Sequence, residues 1–307
     1  MSEQTNQLIQ DFVYALAASP GKTWYAARQS GLYLSDDSGS TWQPAYASLN
    51  LESSLPTTCL AVPSDEAHSN YLFAGVPGHV MRSEDGGKNW MVIPLSLSAT
   101  VPTALASSAS FAKDGILLLG TNEDGVLRSA DGGRSWANWN FGLIDFNVLC
   151  LAMSPAFEND ETVFAGTGSG LFASQTGGKS WKEIELPAGY TTVLSLAISS
   201  GFANDGTLLV GTESDGLWKT QDGGQSWQRL GETHLQGMVN QVILDANQPG
   251  RQGITVLHDN AVLHSADAGK TWSALLEGEL ASLAPLPSGT AGQSLLVGFI
   301  DGSVKRI

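Results

Sequence analysis

Six short segments of this chain repeat one pattern. SDDSGSTW (35–42), SEDGGKNW (83–90), SADGGRSW (129–136), SQTGGKSW (174–181), TQDGGQSW (220–227) and SADAGKTW (265–272) all follow Ser/Thr-x-Asp-x-Gly-x-Ser/Thr-Trp closely. Their starts are separated by 48, 46, 45, 46 and 45 residues. A unit of that length cannot bury a core alone, so copies must stack on one another. The repeat therefore constrains the fold more than any other feature.

The flanks repeat in phase with the motif. In residues 193–230, VLSLAIS reads as a first strand and TLLVGTE as a second. Asp215-Gly216 marks a turn, LWKT a third strand, and SWQRL a fourth strand after the motif. Bounded apolar runs of this length are the signature of buried strands. The second strands recur as YLFAGV, ILLLGT, TVFAGT, TLLVGT and SLLVGF. They are apolar at successive positions, which predicts burial on both faces. Four antiparallel strands in each unit of ~45 residues is the arithmetic of a propeller blade.

The motif itself is a turn. Asp37, Asp85, Asp131, Asp222 and Asp267 are placed to accept hydrogen bonds from turn amides, and the following Gly supplies positive φ. Thr176 takes the Asp place in the fourth copy. Trp42, Trp90, Trp136, Trp181, Trp227 and Trp272 then leave on the fourth strand and are expected to pack between blades. These segments resemble the Asp-box, or BNR, repeat, over nearly the whole chain. The resemblance implies an all-β fold, a seven-bladed β-propeller of four-stranded antiparallel blades. It extends to single-domain propellers of the photosystem II assembly-factor type and, more distantly, to xyloglucanase-type and sortilin-type propellers.

The strand count gives the blade number. LIQDFVYALAAS, TWYAARQ and GLYLS precede the first motif, and ELASLAPLPS, SLLVGFIDG and SVKRI follow the sixth. The last set lacks a fourth strand. Residues 3–9 are expected to supply it, completing the seventh blade with 279–307 and removing exposed sheet edges. One domain over 1–307 is the expectation.

Charge narrows the function. Lys plus Arg number 15 and Asp plus Glu 30, a net charge of −15. Nucleic acid needs basic contacts to displace counterions, so it is not an expected partner, nor is an anionic membrane surface. No apolar run reaches the ~18 residues of a membrane span, and the polar start MSEQTNQ does not read as a signal peptide. A cytoplasmic setting follows as the expectation. Cys59 and Cys150 fall at matching places in first strands, where other blades carry Ala15, Ala104, Ser195 and Ser282. They read as small residues packed near the axis.

Known propeller chemistries find no match. Seven arginines are present, and Arg82 and Arg128 sit in the third-strand place of Leu34, Ala173, Lys219 and His264, which reads as a tolerant surface position. A sialidase-like Tyr/Phe-Arg-Ile-Pro motif is absent. Where xyloglucanase-type enzymes carry a catalytic carboxylate in the first blade, this chain has Gln29 and Ser30. Neither serves as an acid or base near neutral pH. His68, His79, His234, His258 and His264 show no metal-ligand spacing. No cofactor and no metal are expected.

Binding is expected on the face opposite the motifs, where loops on a rigid scaffold carry function. Glu123, Asp124, Glu213, Asp215, Asp259 and Asp301 lie in second-to-third strand turns and are candidates for an acidic rim. Asp before Gly is also ordinary turn chemistry. The segment 137–146 is the connection richest in aromatics, and Trp139 and Phe141 are candidate anchors. The expected function is a non-catalytic scaffold that holds a neutral or basic protein or peptide partner. The alternative is a carbohydrate-binding or glycoside-hydrolase propeller, with aromatic side chains stacking on sugar rings.

Overall fold

The computed structural model describes residues 10–19, 23–63, 70–96, 100–245, 253–286 and 295–307. The chain forms a seven-bladed β-propeller of four-stranded antiparallel blades. Within each sheet, strand order follows chain order from the axis outward. The inner strands are Val13–Ala18, Cys59–Ala61, Pro102–Ser107, Val148–Met153, Val193–Ile198, Val239–Leu244 and Leu280–Pro285. Leu280–Pro285 packs beside Val13–Ala18, which closes the ring. Six sheets show all four strands, and the last shows Leu280–Pro285, Leu295–Phe299 and Val304–Arg306. The strand expected from residues 3–9 lies outside the described residues.

The second strands form the buried layer. Every residue of Leu72–Val76, Leu117–Thr121, Val163–Thr167 and Thr207–Thr212 is buried, as their unbroken apolar runs predict. Five of these strands carry a glycine at one register position, and the reason is the next blade. A Cβ on Gly75 would lie 2.5 Å from both Cys59 Sγ and Pro102 Cβ. On Gly166 it would meet Cys150 Sγ and Val193 Cγ1, and on Gly211 Ser195 Oγ and Val239. The small inner-strand residue and the first inner residue of the following blade fill that space together. This is the packing expected of Cys59 and Cys150, whose thiols are free.

The repeated motif builds a hydrogen-bonded knot. In the third copy, Asp131 Oδ1 accepts from the Ser129 hydroxyl at 2.8 Å and from the Arg134 and Ser135 amides at 2.9 and 3.0 Å. Its Oδ2 accepts from the Ser135 hydroxyl at 2.6 Å. The Ser129 hydroxyl oxygen also accepts from the Gly133 amide, where φ is +83°. Asp37, Asp85, Asp222 and Asp267 repeat this arrangement, with the Asn89 side-chain amide replacing the hydroxyl donor in the second copy.

The Trp ring then reaches the preceding blade. Trp90 Nε1 donates to the Ala45 carbonyl and Trp181 Nε1 to that of Trp139, each at 2.9 Å.

Thr176 serves the fourth knot with fewer bonds. Its hydroxyl oxygen still accepts from the Ser180 amide at 2.9 Å, but the Lys179 amide turns to the Thr176 carbonyl at 3.4 Å. Thr176→Asp should restore the missing acceptors and raise the melting temperature by a few degrees at pH 7. Thermal denaturation checks it, and the gain should shrink as pH falls from about 4 toward 2, where the new carboxylate becomes protonated.

A second acidic motif recurs between inner and second strands. Short helices Phe111–Asp114, Phe157–Asp160 and Phe202–Asp205 end in a carboxylate that ties its own loop. Asp114 accepts from the Ser108 hydroxyl at 2.6 Å and the Ile116 amide at 2.9 Å. Asp160 and Asp205 do the same with Ser154 and Thr162, and with Ser199 and Thr207. These acids are structural and do not contribute a free site.

The third-strand position of Arg82 is not a tolerant surface. Arg82 is 1% exposed. Its Nε donates to the Gly132 carbonyl in the next blade's knot at 2.7 Å, and its guanidinium meets Glu84 at 2.5 Å and lies over Tyr71. Arg128 Nε reaches the Gly177 carbonyl at 2.9 Å in the same way, and Lys219 is also buried. The third and fourth knots thus sit over the preceding third strand, which buries Arg82 and leaves Arg128 half-buried.

Candidate functional site: the loop face and the axial channel

Backbone hydrogen bonds sort the loops onto two faces. The Gly132, Gly177 and Gly223 amides of the knots donate to the inner-to-second loops at Gly115, Glu161 and Gly206. On the opposite face, second-to-third turns bond the residues that enter the inner strands. Asn122 donates to Val101, Glu213 to Thr192, and Asp259 to Met238. The candidate acidic residues belong to this second face, and Trp139 and Phe141 lie on the connection that leads to it along the fourth motif's Ser180 and Trp181.

The six candidate acids divide into two groups. Asp124 and Asp215 are half-buried and tied into their turns. Asp124 Oδ2 accepts from the Thr100 hydroxyl at 2.5 Å, and the Asp124 and Asp215 amides each donate to a threonine hydroxyl at 3.0 Å. Glu123, Glu213, Asp259 and Asp301 are exposed. The Ser303 hydroxyl and amide hold the Asp301 carboxyl below the usual range. The six acids do not gather in one cavity. Asp259, at φ +47°, borders the axial channel; Glu123 and Asp124 share the third blade's turn, Glu213 and Asp215 the fifth's, and Asp301 stands on the seventh.

The connection from the third to the fourth blade is the most apolar part of this face. Leu143 is its anchor, 4% exposed among Leu118, Val126, Val148 and Trp181. The Asn140 side chain fixes the start of the loop, accepting from the Val126 amide and donating to the Asp124 carbonyl, each at 2.8 Å. The Phe141 carbonyl accepts from the Trp181 amide at 2.8 Å. With the backbone held this way, Trp139, Phe141, Ile144 and Phe146 remain 39, 82, 72 and 44% exposed. The next connection adds Tyr190, 83% exposed.

Sequence reasoning singled out Trp139 and Phe141 but passed over Ile144, Phe146 and Tyr190. Their signal is an apolar residue in a connection that has no strand register to explain it.

The axial channel is lined by aliphatic and polar side chains, the polar ones including Tyr14, Thr58, Thr103, Asn240, Gln241 and Asn260. Its cavity, about 1170 Å³, is bordered by Leu60, Leu105, Leu151, Leu196, Val242 and Leu283. Leu16 holds the same register place in the first blade, opposite Ala26 as Leu60 is opposite Ala74. Burial pushes the Cys59 and Cys150 thiols up to about 12, so neither supplies a thiolate at neutral pH. A second, larger cleft of about 1350 Å³ lies between the fourth and fifth blades. Among its carboxylates, Asp160, Asp205 and Asp222 already hold loops, and Glu183 and Glu185 are exposed along the outer strand.

Gln29 and Ser30, at the place of the expected first-blade carboxylate, are engaged locally. Gln29 accepts from the Tyr14 hydroxyl, and the Ser30 amide donates to Asp11 at 2.8 Å. Among the described residues, no group of three or more His, Cys, Asp or Glu is placed to hold a metal ion. No described helix is long and apolar enough to cross a membrane.

No protein-family model matches the chain. No curated protein matches it either. Solved structures do. An ancestral GH74 enzyme aligns over 95% of this chain at 16% identity and a TM-score of 0.76, but this chain spans 44% of that enzyme. YCF48 bound to a D1 peptide aligns over 97% of this chain and 92% of its own, at 17% identity and a TM-score of 0.70. YCF48 from Cyanidioschyzon merolae aligns over 97% and 96%, at 14% identity and a TM-score of 0.70. At these identities the likeness is one of fold.

Proposed function

We propose that the chain is a single-domain propeller of the Asp-box type that binds a protein or peptide partner on its loop face, without catalysis. One observation carries this reading: Phe141 and Ile144 are left 82 and 72% exposed on a connection whose backbone is fixed at both ends. Large apolar side chains held rigidly in water are characteristic of interaction sites. A bound peptide in a propeller that matches nearly end to end is consistent with the same use of this fold. An assembly role belongs to the proposal on the same footing.

The alternative, a glycoside hydrolase or carbohydrate-binding propeller, draws on the GH74 likeness. It needs two carboxylates at working separation, and the acids of the loop face stand on different blades or are tied into turns, as are Asp160, Asp205 and Asp222 in the inter-blade cleft.

A photo-crosslinking amino acid at Phe141 tests the proposal, with Gln225 on the opposite face as the control position. A partner polypeptide captured at 141 and absent at 225 is the expected result. Equal capture at both positions, or turnover on a panel of aryl-glycosides, would overturn it.

A further inference from the structure

A chain of hydrogen bonds crosses the loop face from the third blade to the fifth. The Gly125 amide donates to the Phe146 carbonyl at 3.0 Å, and the Gly168 amide to the Asn147 carbonyl at 3.1 Å. The Gly168 carbonyl accepts from the Thr192 hydroxyl at 3.1 Å, and the Thr192 carbonyl from the Glu213 amide at 3.0 Å. Phe146 therefore stands on one side of the fourth blade's turn, and Tyr190, two residues before Thr192, on the other.

That turn differs from its neighbours. It reads Gly168-Ser169-Gly170 and carries no carboxylate. The third-blade turn beside Phe146 carries Glu123 and Asp124, and the fifth-blade turn bonded to Thr192 carries Glu213 and Asp215. The result is a low shelf over a turn without side chains at Gly168 and Gly170, edged by Ile144, Phe146 and Tyr190, with the Asp145 carboxylate beside Gly168 and an acidic turn at each end.

We infer that this shelf recognises an extended peptide segment with an apolar centre and Lys or Arg on both sides. The inference rests on the peptide-binding reading above and adds the site and the chemistry of the partner. The apolar side chains exclude water at the centre, and the bare glycine turn lets a peptide backbone approach closely. Glu123 and Glu213 are exposed and free to face cations. An anionic partner is repelled by the same groups and by the net charge of −15.

The test uses the full chain and three fluorescein-labelled peptides that share an Ala-Leu-Phe-Leu-Ala centre. One is flanked by two lysines at each end, one by two glutamates, and one by two serines. Fluorescence anisotropy should show binding in the order lysine, serine, glutamate, with the lysine peptide weakening several-fold as salt rises from 50 to 500 mM. Phe146→Ser with Tyr190→Ser should lower the affinity at least tenfold. Glu123→Lys with Glu213→Lys should abolish the preference for lysine. Leu275→Ser removes an exposed apolar side chain (47% exposed) on an outer strand of the sixth blade and should change nothing.

If the lysine peptide binds but ignores both double variants, the shelf is wrong and the peptide-binding reading stands. If none of the three peptides binds, the inference is overturned. The broader reading is then decided by crosslinking at Phe141.

Discussion

Gly298→Val should cause a large loss of stability at the seam that closes the ring. Gly298 lies where the last blade meets the first. A Cβ there would sit 2.6 Å from both Ser282 Oγ and Val13 Cγ1. Val13 is fully buried and belongs to the cluster that joins Leu16, Trp24 and Ala26 to Ala284 and Leu296. The added isopropyl group has no void to enter, so either the inner strand Val13–Ala18 is pushed outward or the seam opens. Overpacking of this kind costs about 1–3 kcal/mol and sometimes more. At roughly 2–4 °C per kcal/mol for a chain of this size class, the melting temperature should fall by up to about ten degrees. Gly298→Ala should show the same sign at smaller size. Gly223, with nothing within 4 Å of a built Cβ, is the comparison for the seam effect. Its φ of +71° means Gly223→Ala still carries local strain. A Gly298→Val protein that melts within a degree of wild type would show that the seam yields freely, and the account of the second-strand glycines would fail.

This seam shows how far the sequence could be read. The glycines of YLFAGV, ILLLGT, TVFAGT, TLLVGT and SLLVGF are visible as a repeat, so the blade count and strand order followed. What each glycine is for depends on the neighbouring blade, which is about 45 residues away and invisible to any local pattern. Arg82 fails for the same reason. A charged residue in a third strand looks exposed until the next knot is placed over it. The loop face was legible as a place but not as a site. Asp124 and Asp215 stand in the expected turns, and hydrogen bonds within those turns absorb their backbone or carboxylate. Phe146 and Tyr190 come from different connections, and only the bonds through Gly168 put them on either side of one turn. The excess of acid is better accounted for than composition alone allowed. Five carboxylates build knots and Asp114, Asp160 and Asp205 close loops, which leaves the exposed glutamates and aspartates of the loop face to set its potential.

Acid should dismantle the fold through the knots. Hydrogen bonds from the Thr41 hydroxyl and amide and the Ser35 hydroxyl hold Asp37 down to about 2. The Thr271 amide and hydroxyl hold Asp267 at about 2. Burial acts to raise Asp131, but its bonds from Ser135 and Ser129 outweigh it and bring it to about 2. Asp222 is lowered by the Ser226 and Thr220 hydroxyls, and Asp85 is lowered by Asn89 and Ser83 against the effect of burial. A carboxylate titrating lower in the folded chain than in the unfolded one, near 3.9, contributes stability that is complete above pH ~4. That contribution is lost as pH falls toward 2, because the unfolded chain then binds protons the folded chain resists. Five knots titrate in the same window, so the melting temperature should drop steeply between pH 4 and 2.5. Asp222→Asn separates charge from geometry. The amide oxygen can still accept from the Gln225 and Ser226 amides, each now at 2.9 Å from Oδ1. The variant should lose a few degrees at pH 7 and show a smaller further loss at pH 2.5 than wild type. Asp222→Ala removes the acceptors altogether and should lose more at pH 7 than the asparagine variant. Parallel loss in wild type and Asp222→Asn on acidification would mean that the Asp222 carboxylate does not contribute to acid unfolding.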